Sequence, residues 1–199
     1  MGSQAIFAAD EGVELETLIA RRITPDLTQD EERRWLEAAK SGDEAALERL
    51  FSRHHASVRC LCVRMLGNSP ELDDIVQNAF VLAFRALPKF RGDACLKTWL
   101  YRIVMNECAS LIRRKRQATL QLDDELEGKS DASETLERLA IQKVLGELHA
   151  DYRAVLVLHY WEQLSCEEIA TILKISSGAV KMRLKRAREA FEKVYGGER

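Results

Sequence analysis

Residues 164–189 have the sequence LSCEEIATILKISSGAVKMRLKRARE, and this stretch decides the fold of the C-terminal part of the chain. Ser165 and Glu168 have the spacing of a capping box, which predicts that a short helix begins there. A tight turn at 174–176 separates it from a second helix, which either Ser176 or Ser177 can cap. Four apolar residues form one buried stripe on this second helix: Val180, Leu184, Ala187 and Phe191.

The second helix of this pair is strongly basic. Five cations and no acid lie between positions 181 and 188: Lys181, Arg183, Lys185, Arg186 and Arg188. A short helix, a tight turn and a basic second helix are typical of a helix-turn-helix, whose second helix enters the major groove of DNA. Its long cationic side chains reach phosphates, and Arg pairs with a guanine edge. The alternative is a helical hairpin with a solvated basic face.

Composition narrows the class of protein. The chain has 199 residues, of which 46% are hydrophobic, with 10 Gly and only 3 Pro, a composition that favours helices. No apolar run of about 18 residues is present, so we expect no membrane insertion. Five cysteines, an odd number in a chain of this length, indicate a reducing compartment rather than a disulfide framework. Because there is no phosphate-binding Gly loop, nucleophile elbow or HExxH pair, the sequence predicts neither an enzyme nor a cofactor or metal site.

The net charge of −2 is the sum of opposed blocks. Residues 51–117 carry 12 basic and 5 acidic side chains, a net charge of +7, and residues 152–199 carry a net charge of +3. Residues 118–151, between these two blocks, carry a net charge of −6, and residues 1–50 carry another −6. Two basic blocks separated by an acidic one indicate two anion-binding modules on a solvated tether.

The predicted fold is therefore all-α, with two small helical domains joined by a flexible acidic linker, the second domain containing the helix-turn-helix. We place the first domain at 28–116, the linker at 117–133 and the second domain at 134–199. Residues 1–27 form an N-terminal extension whose apolar pattern fits either one helical turn or disorder.

The first domain is predicted to begin with two helices, of which the second is capped by Asp43 and ends at Gly67. A third predicted helix follows Ser69-Pro70, which has the pattern of an N-cap and a first helical residue. Its apolar positions form a long stripe that we expect to be buried: Leu72, Ile75, Val76, Ala79, Phe80, Ala83, Phe84 and Leu87. A polar face lies opposite this stripe, formed by Asp73, Asp74, Gln77 and Asn78. Without further context, this face is equally well a solvated surface.

The fourth predicted helix, which ends at 113–116, and the loop before it at 88–94 combine aromatic rings and cations. Phe90, Trp99 and Tyr101 lie among Lys89, Arg91, Lys97 and Arg102, and a basic run follows at 113–116. Aromatic faces between cations suit the unstacked bases of single-stranded nucleic acid. By its spacing Trp99 is mostly a core residue, so Tyr101 and the 88–97 loop are the better candidates for contacting bases.

Together these segments resemble the extracytoplasmic-function (ECF) family of bacterial sigma-70-type sigma factors, the promoter-specificity subunits of RNA polymerase. The resemblance covers roughly residues 43–195. It depends on three strings in order, DDIVQNAFVLAFRAL at 73–87, FRGDACLKTWLYRIVMN at 90–106 and the stretch at 164–189, split by the acidic linker.

The resemblance implies roles for the candidate residues. Residues that would bind core RNA polymerase, through its β and β′ subunits, are Asp73, Asp74, Gln77 and Asn78. Residues that would bind and open the −10 element are Phe90, Arg91, Lys97, Trp99, Tyr101, Arg102, Asn106, Arg113 and Arg114. Residues that would recognise the −35 element are Ser177, Lys181, Arg183, Lys185 and Arg186. The implied partners are core polymerase, promoter DNA and, by family analogy, an anti-sigma factor, in the cytoplasm and at the nucleoid.

The chain departs from the residues usual in the family at several positions, two of which lie in the second helix of the helix-turn-helix. These positions are Asn78, Ala79, Ser110, His149, Lys174, Ala179 and Met182. The rival function is a helix-turn-helix regulator that binds operators as a dimer without polymerase. A metal or redox site at Cys60, Cys62 and Cys95, with His54 and His55 nearby, is a weaker hypothesis, because helical Cys-x-Cys spacing puts the two sulfurs on different faces.

Overall fold

The computed structural model describes residues 29–92, 94–119 and 136–197, and these residues form helices and turns without a strand. The α-helices in these ranges are α1 (Gln29–Lys40), α2 (Glu44–Leu66), α3 (Leu72–Ala86), α4 (Leu96–Thr119), α5 (Leu136–Glu147), α6 (Ala150–Leu156), α7 (Cys166–Leu173) and α8 (Ser177–Gly197). The predicted all-α fold is confirmed. The N-terminal extension and residues 120–133 of the predicted linker lie outside the described residues.

Both ends of α2 are set by the residues that the sequence indicates. Asp43 is the N-cap, and its Oδ1 accepts a hydrogen bond from the backbone N–H of Ala46 at 3.0 Å. Gly67 ends the helix with φ of 66°, a backbone conformation that glycine adopts without the steric penalty of a β-carbon. Local capping rules therefore determine where this 23-residue helix begins and ends.

The start of α3 differs from the prediction. The helix begins at Leu72, and Pro70 lies in the turn before it. The Ser69 hydroxyl does not cap the helix, because it donates to Glu71 Oε2 at 2.6 Å and accepts from Lys115 Nζ at 2.9 Å. Lys115 also donates to Glu71 Oε2 at 2.7 Å. These hydrogen bonds from Lys115 and Ser69 lower the pKa of Glu71 to about 2 and tie this turn to α4.

Helix α2 is the centre of the first half and packs against α1, α3 and α4. Its buried face carries a stripe of apolar side chains: Leu50, Val58, Leu61, Cys62 and Met65. The buried ring of His54 contacts Glu32 of α1 at 3.3 Å, which joins the first two helices. Each fully buried Leu or Met contributes roughly 1.5–3 kcal/mol, so this stripe organises the first half.

The predicted buried stripe of α3 is wrong at Phe84, whose side chain is 55% exposed. Ala79, Ala83 and Leu87, four residues apart, occupy the side that faces the core. Phe84 follows Ala83 and is turned about 100° away from that side by the helical repeat. Because α3 is apolar nearly all round in this part, periodicity alone did not separate its core side from its outer side.

The second half contains the predicted helix-turn-helix. The capping box is confirmed: Glu168 N–H donates to Ser165 Oγ at 3.2 Å, and Ser165 N–H donates to Glu168 Oε2 at 2.9 Å. Ser176 rather than Ser177 caps α8, since its Oγ accepts from the N–H of Ala179 at 3.2 Å. The predicted stripe of α8 is confirmed, because all four of its side chains are buried.

One π-helical turn, Val157–Trp161, continues α6 where the sequence suggests an unbroken helix. The N–H of Glu162 donates to the carbonyl of Val157 at 3.2 Å, which closes the wider turn. Val157 and Leu158 are fully buried within this segment. The turn is followed directly by Glu162, one of the residues that contact the first half.

The two helical halves pack against each other. A single apolar cluster contains residues of α2, α3 and α4 together with residues of α5 to α8. Of the helix pairs that join the two halves, α4 and α7 make the most extensive contact. Polar contacts also cross here: Gln142 Nε2 donates to the carbonyl of Val63 at 2.9 Å, and the guanidinium of Arg153 donates to the carbonyl of Met65. Burial lowers the pKa of Arg153.

Candidate nucleic-acid interface

Helix α8 presents its cations to solvent, on the side away from the buried stripe. Lys181, Lys185 and Arg186 are exposed, in agreement with their predicted orientation. Arg183 is different, because its guanidinium lies 3.6 Å from Asp151 Oδ2 and its side chain is only 33% exposed. Ser177 is the first residue of the helix and is half-buried. Three of the five predicted −35 residues are therefore exposed, whereas Arg183 is ion-paired and Ser177 is half-buried.

The aromatic residues at the start of α4 pack on one another. The Phe90 ring lies 5.0 Å from the Trp99 ring, measured between centroids, and Phe90 is buried while Trp99 is half-buried. Lys40 of α1 lies 5.3 Å from the centroid of the Phe90 ring. Phe90 is thus a core residue that supports Trp99, and only Trp99 of this pair has an accessible edge.

Tyr101 differs most from the sequence-based expectation. We expected Tyr101 to be better placed than Trp99 for contacting bases, but its side chain is fully buried. The helical repeat places it beside Leu100 and Val104, which are also buried. Its hydroxyl donates a short hydrogen bond to Glu162. Burial and the neighbouring carboxylate raise the pKa of Tyr101, so it remains a neutral phenol that no base can reach in this arrangement.

Glu162 holds a cluster of groups between the two halves, and sequence reasoning did not single it out. Its side chain is 7% exposed and lies 3.4 Å from Arg64 Nη1 and 3.4 Å from Lys97 Nζ. Lys97 also lies 5.2 Å from the centroid of the Tyr101 ring, and Arg64 lies 5.9 Å from that of Trp161. Two residues of the predicted −10 surface, Lys97 and Tyr101, are therefore bound to the second half through one carboxylate.

The other predicted −10 residues are more accessible. Four of them are exposed, and three of these are cations: Arg91, Asn106, Arg113 and Arg114. Arg102 is half-buried, and its buried Nε has no hydrogen-bond partner. Arg113 and Arg114 therefore give the C-terminal part of α4 a cationic outer side, on a different helix from the cations of α8, while Arg91 lies in the loop before α4.

A groove between α2 and α3 contains two of the predicted polymerase-binding residues. The groove has a volume of about 530 Å³ and its lining includes Asp73, Gln77, Phe80 and Phe84. Asp73 Oδ1 lies 3.5 Å from Arg59 Nε at one rim. Asp74 and Asn78 are exposed on the neighbouring strip of α3.

The apolar part of this groove was not anticipated. Phe80 packs against the Phe51 ring at 5.2 Å and stacks on the His55 ring at 5.7 Å, measured between centroids. Val81 and Phe84 are exposed beside it. Large apolar side chains exposed together mark an interaction surface. The sequence does contain a sign of this surface, because the apolar run at 79–84 is too wide to fit on one buried side of a helix.

The cysteines do not form a metal site in the described part of the chain. Cys62 is buried and Cys60 is exposed, as their spacing predicted. Cys108 of α4 is also buried, and its hydrogen bond with Cys62, together with burial, raises its pKa. No group of three or more His, Cys, Asp or Glu side chains suited to a metal ion occurs among the described residues. Within those same residues, no helix has the length and apolarity needed to cross a membrane.

Two family models match separate parts of this chain. Residues 50–118 match the model of sigma-70 region 2, and residues 138–191 match the model of sigma-70 region 4. The RNA polymerase sigma-H factor of Pseudomonas aeruginosa is 33% identical over 184 residues, covering 84% of this chain and 95% of that protein. The ECF sigma factor SigW of Bacillus subtilis is 35% identical over 175 residues, covering 79% of this chain and 93% of that protein.

The chain belongs to the ECF family of sigma-70-type sigma factors. The structure of CnrH in complex with the cytosolic domain of CnrY is similar to this sigma factor, with a TM-score of 0.66 and 30% identity. That match covers 85% of this chain and 100% of CnrH. The sigma factor directs promoter-specific initiation of transcription with RNA polymerase, and its family is not one of enzymes. The rival function as a polymerase-independent regulator is therefore disfavoured.

Proposed function

We propose that three surfaces of this sigma factor divide the work of initiation. The groove between α2 and α3, with Asp73, Gln77 and the exposed Phe84, docks on core RNA polymerase. The outer side of α4 binds the −10 element, and α8 binds the −35 element. The observation that carries this proposal is the presence of two exposed cationic surfaces on different helices, α4 and α8, apart from one apolar groove on α3.

The chemistry of the two DNA surfaces differs. The cations of α8 lie on a rigid helix whose buried stripe anchors it, which suits the major groove of an intact duplex. The exposed cations Arg113 and Arg114 lie about four turns further along α4 than Trp99 and can hold the phosphates of a strand. The Trp99 ring can stack on an unpaired base and contribute about 1–3 kcal/mol. Holding such bases offsets the cost of unpairing, so strand opening needs no hydrolysis. Two modest contacts on one protein then gain affinity together.

The packed arrangement of the halves supports a dependence on polymerase. Lys97 and Tyr101 are engaged with Glu162, so the free sigma factor presents only part of its −10 surface. Docking on polymerase would have to separate the halves before these two residues contact DNA. We therefore expect the isolated chain to bind promoter DNA weakly, whereas a regulator of the rival kind would footprint its operator alone.

Two further features follow from the family. CnrH forms a complex with the cytosolic domain of CnrY. The sigma factor RpoE of Bartonella quintana, whose fold is similar, forms a complex with the anti-sigma factor NepR. We propose that an anti-sigma factor also binds this chain, and that the active sigma factor is located with RNA polymerase at the nucleoid.

Run-off transcription with core RNA polymerase on a promoter library tests the function. We expect transcripts that depend on the sigma factor and on selected −35 and −10 sequences. Tight binding of DNA by the isolated chain, with no initiated transcript, would contradict the proposal.

Variants separate the proposed surfaces. Lys185→Glu with Arg186→Glu should abolish −35-dependent initiation while polymerase binding persists, because both side chains are exposed on α8. Phe84→Asp should weaken polymerase binding instead. The matched control is Glu48→Gln, an exposed change on α2 that should affect neither. Loss of both activities in both variants would indicate misfolding, which a thermal melt detects.

A further inference from the structure

Met182 is a large apolar side chain exposed in an unexpected place. Four large apolar residues are strongly exposed among the described residues, namely Val81, Leu82, Phe84 and Met182. The first three lie on α3, where Val81 and Phe84 border the groove already discussed. Met182 lies on α8, is 53% exposed and is surrounded by cations.

The helical repeat places Met182 opposite the core. With about 100° per residue, Met182 is about 160° from Val180 and equally far from Leu184, both of which are buried. It is therefore the centre of the outer side of the second turn. Arg183 cannot take this position, because its guanidinium is paired with Asp151 at 3.6 Å.

The neighbours of Met182 leave room for a ligand on one side and supply charge on the other. One turn earlier, on the same side, lie Gly178 and Ala179, which have little or no side chain. A β-carbon added at Gly178 would meet only Ser176 Oγ, at 4.0 Å, so the space there is open. One turn later lie the exposed cations Lys185 and Arg186.

The first acid on this side, Glu189, comes two turns after Met182. The outer side is therefore free of negative charge over its N-terminal turns, which are the turns that contact base edges in a helix-turn-helix. Phosphates would contact the flanking cations and hold the centre of this face against the bases.

We propose that Met182 is a specificity-determining residue that contacts the C5-methyl group of a thymine in the −35 element. This inference rests on the proposed role of α8 in DNA binding. The thymine methyl is the apolar group that base pairs display in the major groove. A flexible, polarizable thioether adapts to such a group without requiring hydrogen-bond geometry.

Deoxyuridine substitution tests this contact, because it removes the methyl group and leaves base pairing unchanged. The −35 element is first selected from a randomised library with holoenzyme. Each thymine in the selected element is then replaced by deoxyuridine, and the Kd of the holoenzyme–promoter complex is measured. At one thymine, or at two adjacent thymines, the wild-type protein should lose about fourfold in affinity, the value for one buried methyl group.

Two variants assign the effect to Met182. Met182→Ser should bind the thymine and deoxyuridine promoters equally at that position, whereas Met182→Leu should retain the preference for thymine. Thermal melts confirm that both variants fold. The inference would be overturned if the selected element contained no thymine, or if deoxyuridine had the same effect on the Kd of the wild-type protein at every thymine. It would also be overturned if Met182→Ser kept the thymine preference, including the case in which that variant lost polymerase or anti-sigma binding.

Lys185→Glu distinguishes failure of this inference from failure of the proposed function. If Lys185→Glu leaves promoter binding intact, α8 does not bind the −35 element and both ideas fail. If Lys185→Glu abolishes −35-dependent binding while the deoxyuridine scan is uniform, α8 binds DNA and only the role of Met182 is overturned.

Discussion

Replacing Glu162 by glutamine removes one negative charge from the contact between the halves and preserves the size of the side chain. The amide oxygen can still accept the hydrogen bond of Tyr101. The ion pairs with Arg64 and Lys97, both at 3.4 Å, are lost. The variant therefore separates the electrostatic contribution of Glu162 from its packing.

The size of the effect follows from the burial of the three charged groups. The side chain of Glu162 is 7% exposed and that of Arg64 is 14% exposed, so the substitution leaves a guanidinium partly buried beside a neutral amide. Removing one partner of a buried pair costs about 3–5 kcal/mol. Lys97 is 40% exposed and can be rehydrated. We therefore expect the free energy of unfolding to fall by about 2–3 kcal/mol.

Urea unfolding followed by circular dichroism measures this loss. The Arg64→Met variant completes a double-mutant cycle: once the guanidinium is absent, Glu162→Gln should cost much less. The free protein should also bind a fluorescent single-stranded −10 oligonucleotide more tightly after Glu162→Gln, because Lys97 is released from its ion pair with the second half.

The control is Glu48→Gln on the exposed side of α2, which should change stability by no more than about 0.5 kcal/mol. If Glu162→Gln were as mild as this control, Glu162 would not be a buried charge that joins the halves. Reduced stability without any gain in oligonucleotide binding would refute the argument that the contact withholds part of the −10 surface.

Three further predictions concern stability. The pKa of Glu71 is held at about 2 by Lys115, below its ordinary value of 4.5, so its ionised form stabilises the fold above pH 4.5 and this contribution is lost as the pH falls toward 2. The stability advantage of the wild-type protein over Glu71→Gln should shrink over that range in acid titrations of unfolding, and a constant difference would contradict this. Ser165→Ala should lower the free energy of unfolding by about 1 kcal/mol in urea titrations, since it removes the cap of α7. Ser165→Asp can still cap this helix, so its free energy of unfolding should stay close to that of the wild-type protein. Leu184→Ala should cost about 2–5 kcal/mol, because this buried leucine anchors α8; a loss well below about 2 kcal/mol would show that the site is not tightly packed.

Local features were predictable from the sequence because they depend on neighbouring residues. Asp43, Gly67 and the capping box of Ser165 set helix ends through hydrogen bonds within a few positions of the chain. The stripe that contains Leu184 was equally clear, since polar residues surround it on α8 and leave one orientation toward the core.

The prediction failed where the choice depended on residues far away in the sequence. Ser69 has the pattern of an N-cap, but Lys115, 46 positions further along the chain, engages its hydroxyl. Tyr101 resembles an exposed aromatic among cations, but Glu162, 61 positions further along the chain, covers it. Propensity and spacing contain no information about such partners.

The amino-acid sequence by itself determined most of the helices, the caps of α2 and α7, the basic helix-turn-helix and the membership of the sigma-factor family. All of these follow from local hydrogen bonding, helical periodicity and the order of short motifs. Only the tertiary structure decided which apolar residues of α3 face outward, where Arg183 is paired, and that Glu162 binds two predicted DNA-contacting residues. These outcomes depend on which surfaces meet when the halves pack, and burial makes each of those contacts strong.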